Sequence, residues 1–162
     1  MKKICLCAVF FMIFALLFSC TERDKDPLSY QTGNISAEIA IIKNGCRIGA
    51  VMNISEEGDI ALTLTSPESV KGTEIKRTGG EITVTRGELA SSAAAYLTAA
   101  ELFRLEGNVI SAEPVELDGK KLTQIAVSSQ GREYEVFLSE NNAPVRIVSD
   151  DVTVDVIWFE RT

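Results

Sequence analysis

The chain has 162 residues, a formal net charge of −7 and no histidine. Its acidic balance argues against nucleic-acid binding, which depends on neutralising phosphates with lysine and arginine. The absence of histidine excludes Ser-His-Asp and Cys-His nucleophilic catalysis and histidine-ligated zinc.

The first twenty residues have the pattern of an export signal. Two lysines precede an unbroken apolar run at residues 4–18. The run is shorter than the ~20 residues that span a bilayer, which favours a signal peptide over an uncleaved anchor helix. It ends in Leu-Phe-Ser-Cys, which resembles the bacterial lipobox. The resemblance implies cleavage after Ser19 and a diacylglyceryl group on Cys20, so we expect a lipid anchor on the extracytoplasmic face of the cell membrane.

The sequence after the signal divides into a tether and one domain. Removal of residues 1–19 leaves 143 of the 162 residues, and the net charge falls from −7 to −9 because two lysines leave. Residues 20–33 are polar and include Pro27 and Gly33, which predicts a short flexible tether. Residues 34–162 then form a single domain by length. An acidic domain is not attracted to anionic lipid, so the lipid on Cys20 would hold it at the membrane.

The cysteines do not predict an internal disulfide. Cys5 and Cys7 leave with the signal and Cys20 carries the lipid, so Cys46 alone remains in the domain. A free cysteine is most often a small buried hydrophobic side chain. The alternative is an intermolecular bridge through Cys46, which would give a dimer.

In the first half of the domain, apolar and polar residues alternate with the two-residue period of β-strands. Alternating stretches begin at Ile35, Ile48, Ile60 and Ile82, and a weaker strand covers residues 70–77 with Gly72 as a possible bulge. The turns between them carry glycine, asparagine and aspartate, and Asn-Gly at 44–45 is a strong hairpin signal. These features predict an antiparallel meander of five strands.

The spacing of apolar residues changes once, in the middle of the chain. Apolar residues recur at helical spacing from residue 89 to residue 105, which predicts a single helix there. Alternation then resumes, with Asp-Gly at 118–119 as another hairpin signal, and about five more strands follow. Several strands carry large apolar residues on both faces, so we expect the helix to cover part of the second face.

Together, the lipobox, the long meander and the mid-chain helix resemble the LolA/LppX-like lipoprotein fold. Residues 49–89 are most similar to small lipoproteins of this type from Gram-positive anaerobes, a structural group that includes the spore-germination lipoprotein GerS. The segment Thr-Ser-Pro-Glu-Ser at 65–69, followed by Val-Lys-Gly and a Gly-Gly turn, carries this likeness. The resemblance implies a mainly β domain, an unclosed half-barrel of about ten antiparallel strands with one helix on its concave face, and no enzymatic activity.

Two functions are compatible with such a domain. In the first, the half-barrel binds an apolar or lipid-like ligand, and a cavity of several hundred Å³ would favour this. The candidate lining residues are Met52, Leu62, Leu64, Val84, Tyr96, Leu97, Phe103, Tyr134, Val136 and Trp158. In the second, the domain is a tethered adaptor that binds and regulates a cell-envelope enzyme, and a filled core with an exposed apolar patch or edge would favour this. We predict a shallow groove beside Tyr96, Leu97 and Phe103.

No motif for catalysis, cofactor binding or metal binding stands out. Gly-Gly at 79–80 lacks the lysine and hydroxyl residue of a phosphate loop. Acidic pairs occur at 56–57 and 150–151, where solvated turns explain them better than catalysis does. The aspartates at 150, 151 and 155 lack the spacing of a calcium loop. We therefore expect neither a cofactor nor a resident metal.

Overall fold

The computed structural model describes residues 26–85 and 90–162, which form one open antiparallel sheet of ten strands. The strands are β1 (Ile35–Lys43), β2 (Cys46–Ile54), β3 (Ile60–Ser66), β4 (Glu74–Thr78), β5 (Glu81–Thr85), β6 (Asn108–Leu117), β7 (Lys120–Ser129), β8 (Arg132–Leu138), β9 (Pro144–Val148) and β10 (Thr153–Arg161). Helix α1 (Ala90–Glu101) lies between β5 and β6, and short 3-10 helices cover Ser29–Gln31 and Leu102–Arg104. The mainly β half-barrel with one helix that the sequence predicts is confirmed.

The sheet order shows how the two halves of the meander join. The strands run β5-β4-β3-β2-β1-β10-β9-β8-β7-β6 across the sheet. The first and last strands therefore pair at the centre, and β5 and β6 form the two edges. Helix α1 connects these edges and crosses one face of the sheet, which we call the helix face. The opposite face is called the open face.

The tight turns have the backbone that their residues favour. Asn44 and Gly45 have φ of 50° and 76°, and Asp118 and Gly119 have φ of 51° and 74°. Two successive positive φ values match the right-handed twist of the flanking strands, and asparagine, aspartate and glycine tolerate them best. Both hairpins predicted from these dipeptides are confirmed.

Strand β4 is shorter than the sequence predicts. It begins at Glu74, and residues 67–72 form a bend and turn instead of strand. Gly72 has φ of 79° and donates its N–H to the carbonyl oxygen of Leu64, while Thr73 donates to Val70. Leu64 of β3 in turn donates its N–H to the carbonyl oxygen of Thr73. Gly72 and Thr73 thus face one residue of β3, as in a β-bulge whose first residue is a glycine with positive φ, so the possible bulge predicted at Gly72 is present just before β4.

The ordered domain begins before Asn34. Tyr30 is buried in the core and its ring meets that of Phe159 edge-on, with centroids 6.4 Å apart. The side-chain amide of Asn142 donates to the carbonyl oxygens of Asp26 and Pro27 and to the hydroxyl of Ser29. Residues 26–33, predicted to belong to the tether, thus pack against the sheet because one buried aromatic ring outweighs the polarity of its neighbours.

Burial of Tyr30 has a consequence at alkaline pH. Burial raises the pKa of Tyr30 from 10.0 to about 12, against the lowering effect of its hydrogen bond with Gln31. Because the folded state holds this proton more tightly than the unfolded state, the contribution to stability is complete below pH 10 and is lost as the pH rises towards 12. We expect the free energy of unfolding to fall by roughly 2–3 kcal/mol over this interval.

Urea denaturation at pH 9 and at pH 12 measures this loss. The Tyr30→Phe variant is the control, since it keeps the ring and has no proton to release. An equal fall in stability for both proteins would contradict the assignment to Tyr30.

Cys46 is exposed, at the start of β2 next to the Asn44-Gly45 turn. The expectation that it is buried is therefore wrong. Cys46 pairs with Lys43 in the last rung of the β1–β2 hairpin, beyond the residues that pack in the core. A dimer through Cys46 stays a prediction of the sequence.

Candidate functional site

The residues predicted to line a ligand site lie, with one exception, on the helix face. Strand register places Phe159, Ala37, Met52, Leu62, Ile75 and Val84 in one row that crosses six strands. Leu64 lies opposite Ala50 on the same face, and Val136 lies between Ile125 and Ile147. Met52, Leu62, Leu64 and Val136 are buried in the core, whereas Val84 and Tyr134 are partly buried.

Helix α1 packs closely on this row. Its buried residues include Ala93, Leu97, Ala99 and Ala100, and Phe103 of the following 3-10 turn has no exposed surface. Alanine side chains let a helix approach a sheet closely, and Leu97 and Phe103 are both buried, so we expect little free space between them and the sheet. Tyr96 is half-buried at the margin of the core.

Leu97→Trp measures how full this space is. Overpacking of a filled core typically costs about 1–3 kcal/mol, and we expect a loss of that size in a urea denaturation curve. The control is Thr98→Trp, because Thr98 is the exposed neighbour on the same helix. A Leu97→Trp protein as stable as the wild type would show a groove at this position.

Trp158 does not lie with the other predicted lining residues. It pairs with Glu38 on the open face and is 48% exposed. The strand register shifts between Glu38 and Ile39, and Ile157 is the extra residue on β10. This bulge resets the alternation, so that Trp158 points outward and Phe159 packs into the core. Strict alternation along β10 would place Trp158 in the core and Phe159 on the open face. The sequence carries no signal for a bulge at Ile157.

An open cleft lies at the end of α1. It has a volume of about 450 Å³ and lies against the β7–β8 turn. The lining residues are Thr98, Glu101, Leu102, Arg104, Leu105, Glu106, Ser129, Gln130 and Tyr134. The apolar or aromatic lining side chains are Leu102, Leu105 and Tyr134. The charged ones are two carboxylates, Glu101 and Glu106, and the guanidinium of Arg104.

Arg104 joins the helix end to two loops, a role that the sequence analysis missed. Its guanidinium donates to the backbone carbonyl oxygens of Gly33 and Ser55. Nearby, a backbone N–H bond and the hydroxyl of Ser55 lower the pKa of Glu57, and Arg104 adds a smaller effect in the same direction. In the sequence, an arginine at this position only indicates the end of a helix. Its carbonyl partners, Gly33 and Ser55, are distant along the chain, so only the fold identifies them.

The polar residues of the described chain do not converge on a reactive centre. Within residues 26–85 and 90–162, no three His, Cys, Asp or Glu side chains are grouped as metal ligands would be. The hydrogen bond and charge of Lys43, at the end of β1, lower the pKa of Asp151 in the β9–β10 turn. In the same ranges, no helix is long and apolar enough to cross a membrane.

The fold has relatives among solved structures. An uncharacterized conserved protein from Thermus thermophilus overlaps 85% of this chain and 84% of its own, at 17% identity and a TM-score of 0.53. MucB overlaps 84% of this chain at 12% identity and a TM-score of 0.52. The chain shares its fold with MucB. It spans 56% of the length of the MucB chain, which has also been solved in complex with MucA(peri).

A further structural neighbour overlaps this chain more weakly, and comparisons of the sequence find no match. A LolA superfamily protein from Nitrosomonas europaea overlaps 83% of this chain at 10% identity, with a TM-score of 0.38. That overlap is too weak to place the chain in the LolA superfamily, which stays a prediction of the sequence. No protein-family model matches the chain, and no curated protein sequence does.

Proposed function

We propose that this protein is a lipid-anchored, non-enzymatic adaptor on the extracytoplasmic face of the cell membrane, which binds another protein of the cell envelope. The observation that carries the proposal is the distribution of apolar side chains. Most described apolar residues of the helix face are buried in one core cluster, while large apolar side chains are exposed elsewhere, at Val51, Ile82, Val109, Ile110, Ile157 and Trp158. The buried residues of this cluster pack against one another, whereas Ile157 and Trp158 are neighbouring exposed side chains on β10, and a contiguous exposed apolar patch is typical of a contact surface.

The fold relationship supports the same proposal. MucB, about half of which shares this fold, has been solved with MucA(peri) bound, so the fold occurs in a protein that binds a protein partner. The identity of 12% shows the fold alone. The partner of the present chain is therefore proposed from its own surface, as described in the next subsection.

The anchor has a direct test. Cys20→Ala should move the protein from the membrane fraction to the soluble fraction or leave the precursor uncleaved, because a thiol is required for the diacylglyceryl bond. Labelling with an alkyne fatty-acid analogue should fall to background. The matched control is Cys46→Ala, which keeps the lipobox. Undiminished labelling of the Cys20→Ala protein would contradict lipidation at this residue, which lies outside the described residues.

The adaptor function is tested in cells by photo-crosslinking. A benzoylphenylalanine residue at Ile157 or at Ile110 samples the open face and the β6 edge. We expect a discrete crosslinked species of defined mass at one of these positions and none at Glu68, which is exposed on a turn away from both. Absence of any crosslinked protein at both apolar positions would overturn the adaptor proposal.

One observation favours a second candidate, the binding of an apolar or lipid-like ligand. The cleft of about 450 Å³ at the end of α1 includes Leu102, Leu105 and Tyr134, within the volume range of ligand pockets. Native mass spectrometry of the purified mature domain would reveal a co-purified lipid. Loss of that mass in a Leu105→Glu variant, with retention in a Leu122→Glu variant, would place the lipid in this cleft.

A further inference from the structure

The middle of the sheet contains a gap in strand pairing. Strand β9 pairs with β10 only at Thr153, Val154 and Asp155. Strand β10 continues to Arg161, and β1 pairs with it along this whole length. Residues 157–161 therefore have a strand partner on the β1 side only, within the described chain. Such a row of backbone groups is a template for another strand.

The hydrogen-bond pattern identifies which backbone groups face the gap. Asn34 and Thr162 exchange both N–H···O bonds, at 2.8 and 3.0 Å. Antiparallel pairs alternate between bonded and non-bonded, so Glu160 and Trp158 bond towards β1, whereas Phe159 and Arg161 direct their N–H and C=O groups away from it. Two residues thus offer as many as four backbone bonds to an additional strand.

A cavity lies beside these same two residues. It has a volume of about 230 Å³, and its lining residues are Ser29, Tyr30, Asn141, Asn142, Ala143, Phe159 and Arg161. The N-terminal 3-10 helix and the β8–β9 turn form its walls, and hydrogen bonds from Asn142 to Asp26, Pro27 and Ser29 hold these walls together. The cavity therefore lies next to the unpaired backbone of β10, and the guanidinium of Arg161 donates to the carbonyl oxygen of Ser29 in one of its walls.

The side chains next to the gap define the chemistry of the occupant. The bulge at Ile157 places Trp158 and Glu160 on the open face, two residues apart, and Ile157 itself is 59% exposed. Glu38 lies opposite Trp158. Neither Glu38 nor Glu160 forms an ion pair with another described residue. An apolar surface flanked by two unneutralised carboxylates complements a strand with one apolar and one basic side chain.

We propose that residues 157–161 of β10 bind an extended segment of the partner protein by β-strand addition, in line with β9. In this arrangement the segment bonds to the backbone of Phe159 and Arg161, which gives affinity. Its residue opposite Glu160 is lysine or arginine, and its residue opposite Trp158, two positions along, is aromatic or aliphatic. This inference rests on the proposed adaptor function and specifies the site and the chemistry of the partner.

The experiment uses defined peptides and the mature protein. The probe is Ser-Lys-Thr-Phe-Thr-Lys-Ser, which carries a basic-x-aromatic spacing in both directions, with fluorescein at its N-terminus and an amidated C-terminus. Fluorescence anisotropy should show saturable binding. The same peptide with glutamate for lysine should not bind, and neither should one with proline for both threonines, because proline has no N–H to donate.

Four variants locate the binding. We expect Trp158→Ala and Glu160→Lys to weaken binding about tenfold each, as for interface residues near the centre of a contact. Glu160→Lys should also gain binding of the glutamate peptide. The matched controls on edge strand β6 are Ile110→Ala, at 56% exposure, and Glu113→Lys, and these should stay within about twofold of the wild type.

The outcomes separate this inference from the adaptor function. Absence of peptide binding, equal binding of the proline peptide, or equal losses in the β6 controls would overturn the β10 site. If a partner protein then still crosslinks from Ile110, the adaptor function stands with a different surface. If no partner crosslinks from either position, the adaptor function falls as well.

Discussion

Replacing Phe103 by alanine should lower the free energy of unfolding by about 3–5 kcal/mol. The ring has no exposed surface and lies within the core that α1 and the sheet share. Its removal leaves a cavity that the close-packed alanines of α1 cannot fill, because their side chains end at Cβ. Urea denaturation followed by far-ultraviolet circular dichroism measures the loss.

Phe137→Ala is the control for this prediction. Phe137 is half-buried on the open face, opposite Gln124 and Arg146, so its loss should cost distinctly less. Equal costs for the two substitutions would mean that the helix face is not the better-packed side. That outcome would also favour ligand binding on the helix face over the adaptor function.

Ala99→Glu should prevent the domain from folding stably. Ala99 is fully buried between α1 and the sheet, where the buried polar side chains among the described residues, Thr73 and Ser129, carry no positive charge to pair with a carboxylate. A buried charge without a partner typically costs about 3–5 kcal/mol, which is a large part of the stability of a domain of this size. We expect loss of the cooperative unfolding transition or precipitation during expression.

The adjacent substitution Thr98→Glu is the control. Thr98 is exposed on the same turn of α1, so the same charge at that position should change stability by less than about 0.5 kcal/mol. The pair compares one chemical change at buried and exposed positions one residue apart. If both variants fold equally well, the helix does not pack on the sheet as described.

Local signals in the sequence predict most elements of the fold. The Asn44-Gly45 and Asp118-Gly119 turns, the alternation of the strands and the single change to helical spacing each depend on residues close together in the chain. Such signals are reliable because turn conformation and side-chain direction follow from neighbouring residues. The weaker prediction of a strand at residues 70–77 failed at its start, because residues 68–72 form a turn and the strand begins at Glu74, after the bulge at Gly72 and Thr73.

The candidate site was harder to predict than the fold. Met52, Leu62 and Leu64 were correctly assigned to one face of the sheet, but alternation alone cannot say whether that face is filled or open to a ligand. Trp158 was assigned to the same face, and the bulge at Ile157 places it on the other. One inserted residue reverses the facing of the residues that follow, and nothing in the order of apolar residues marks the insertion.

The sequence by itself determined the acidic charge, the absence of histidine chemistry, the lipobox-like start and the succession of strands around one helix. Only the tertiary structure decided that β1 pairs with β10, that β9 stops short of the end of β10, and that Tyr30 fills the core beside Phe159. The physical reason is the distance along the chain. Turns and periodicity are fixed within a few residues, whereas the pairing of β1 with β10 joins segments far apart in the chain and is selected by how well the whole helix face packs.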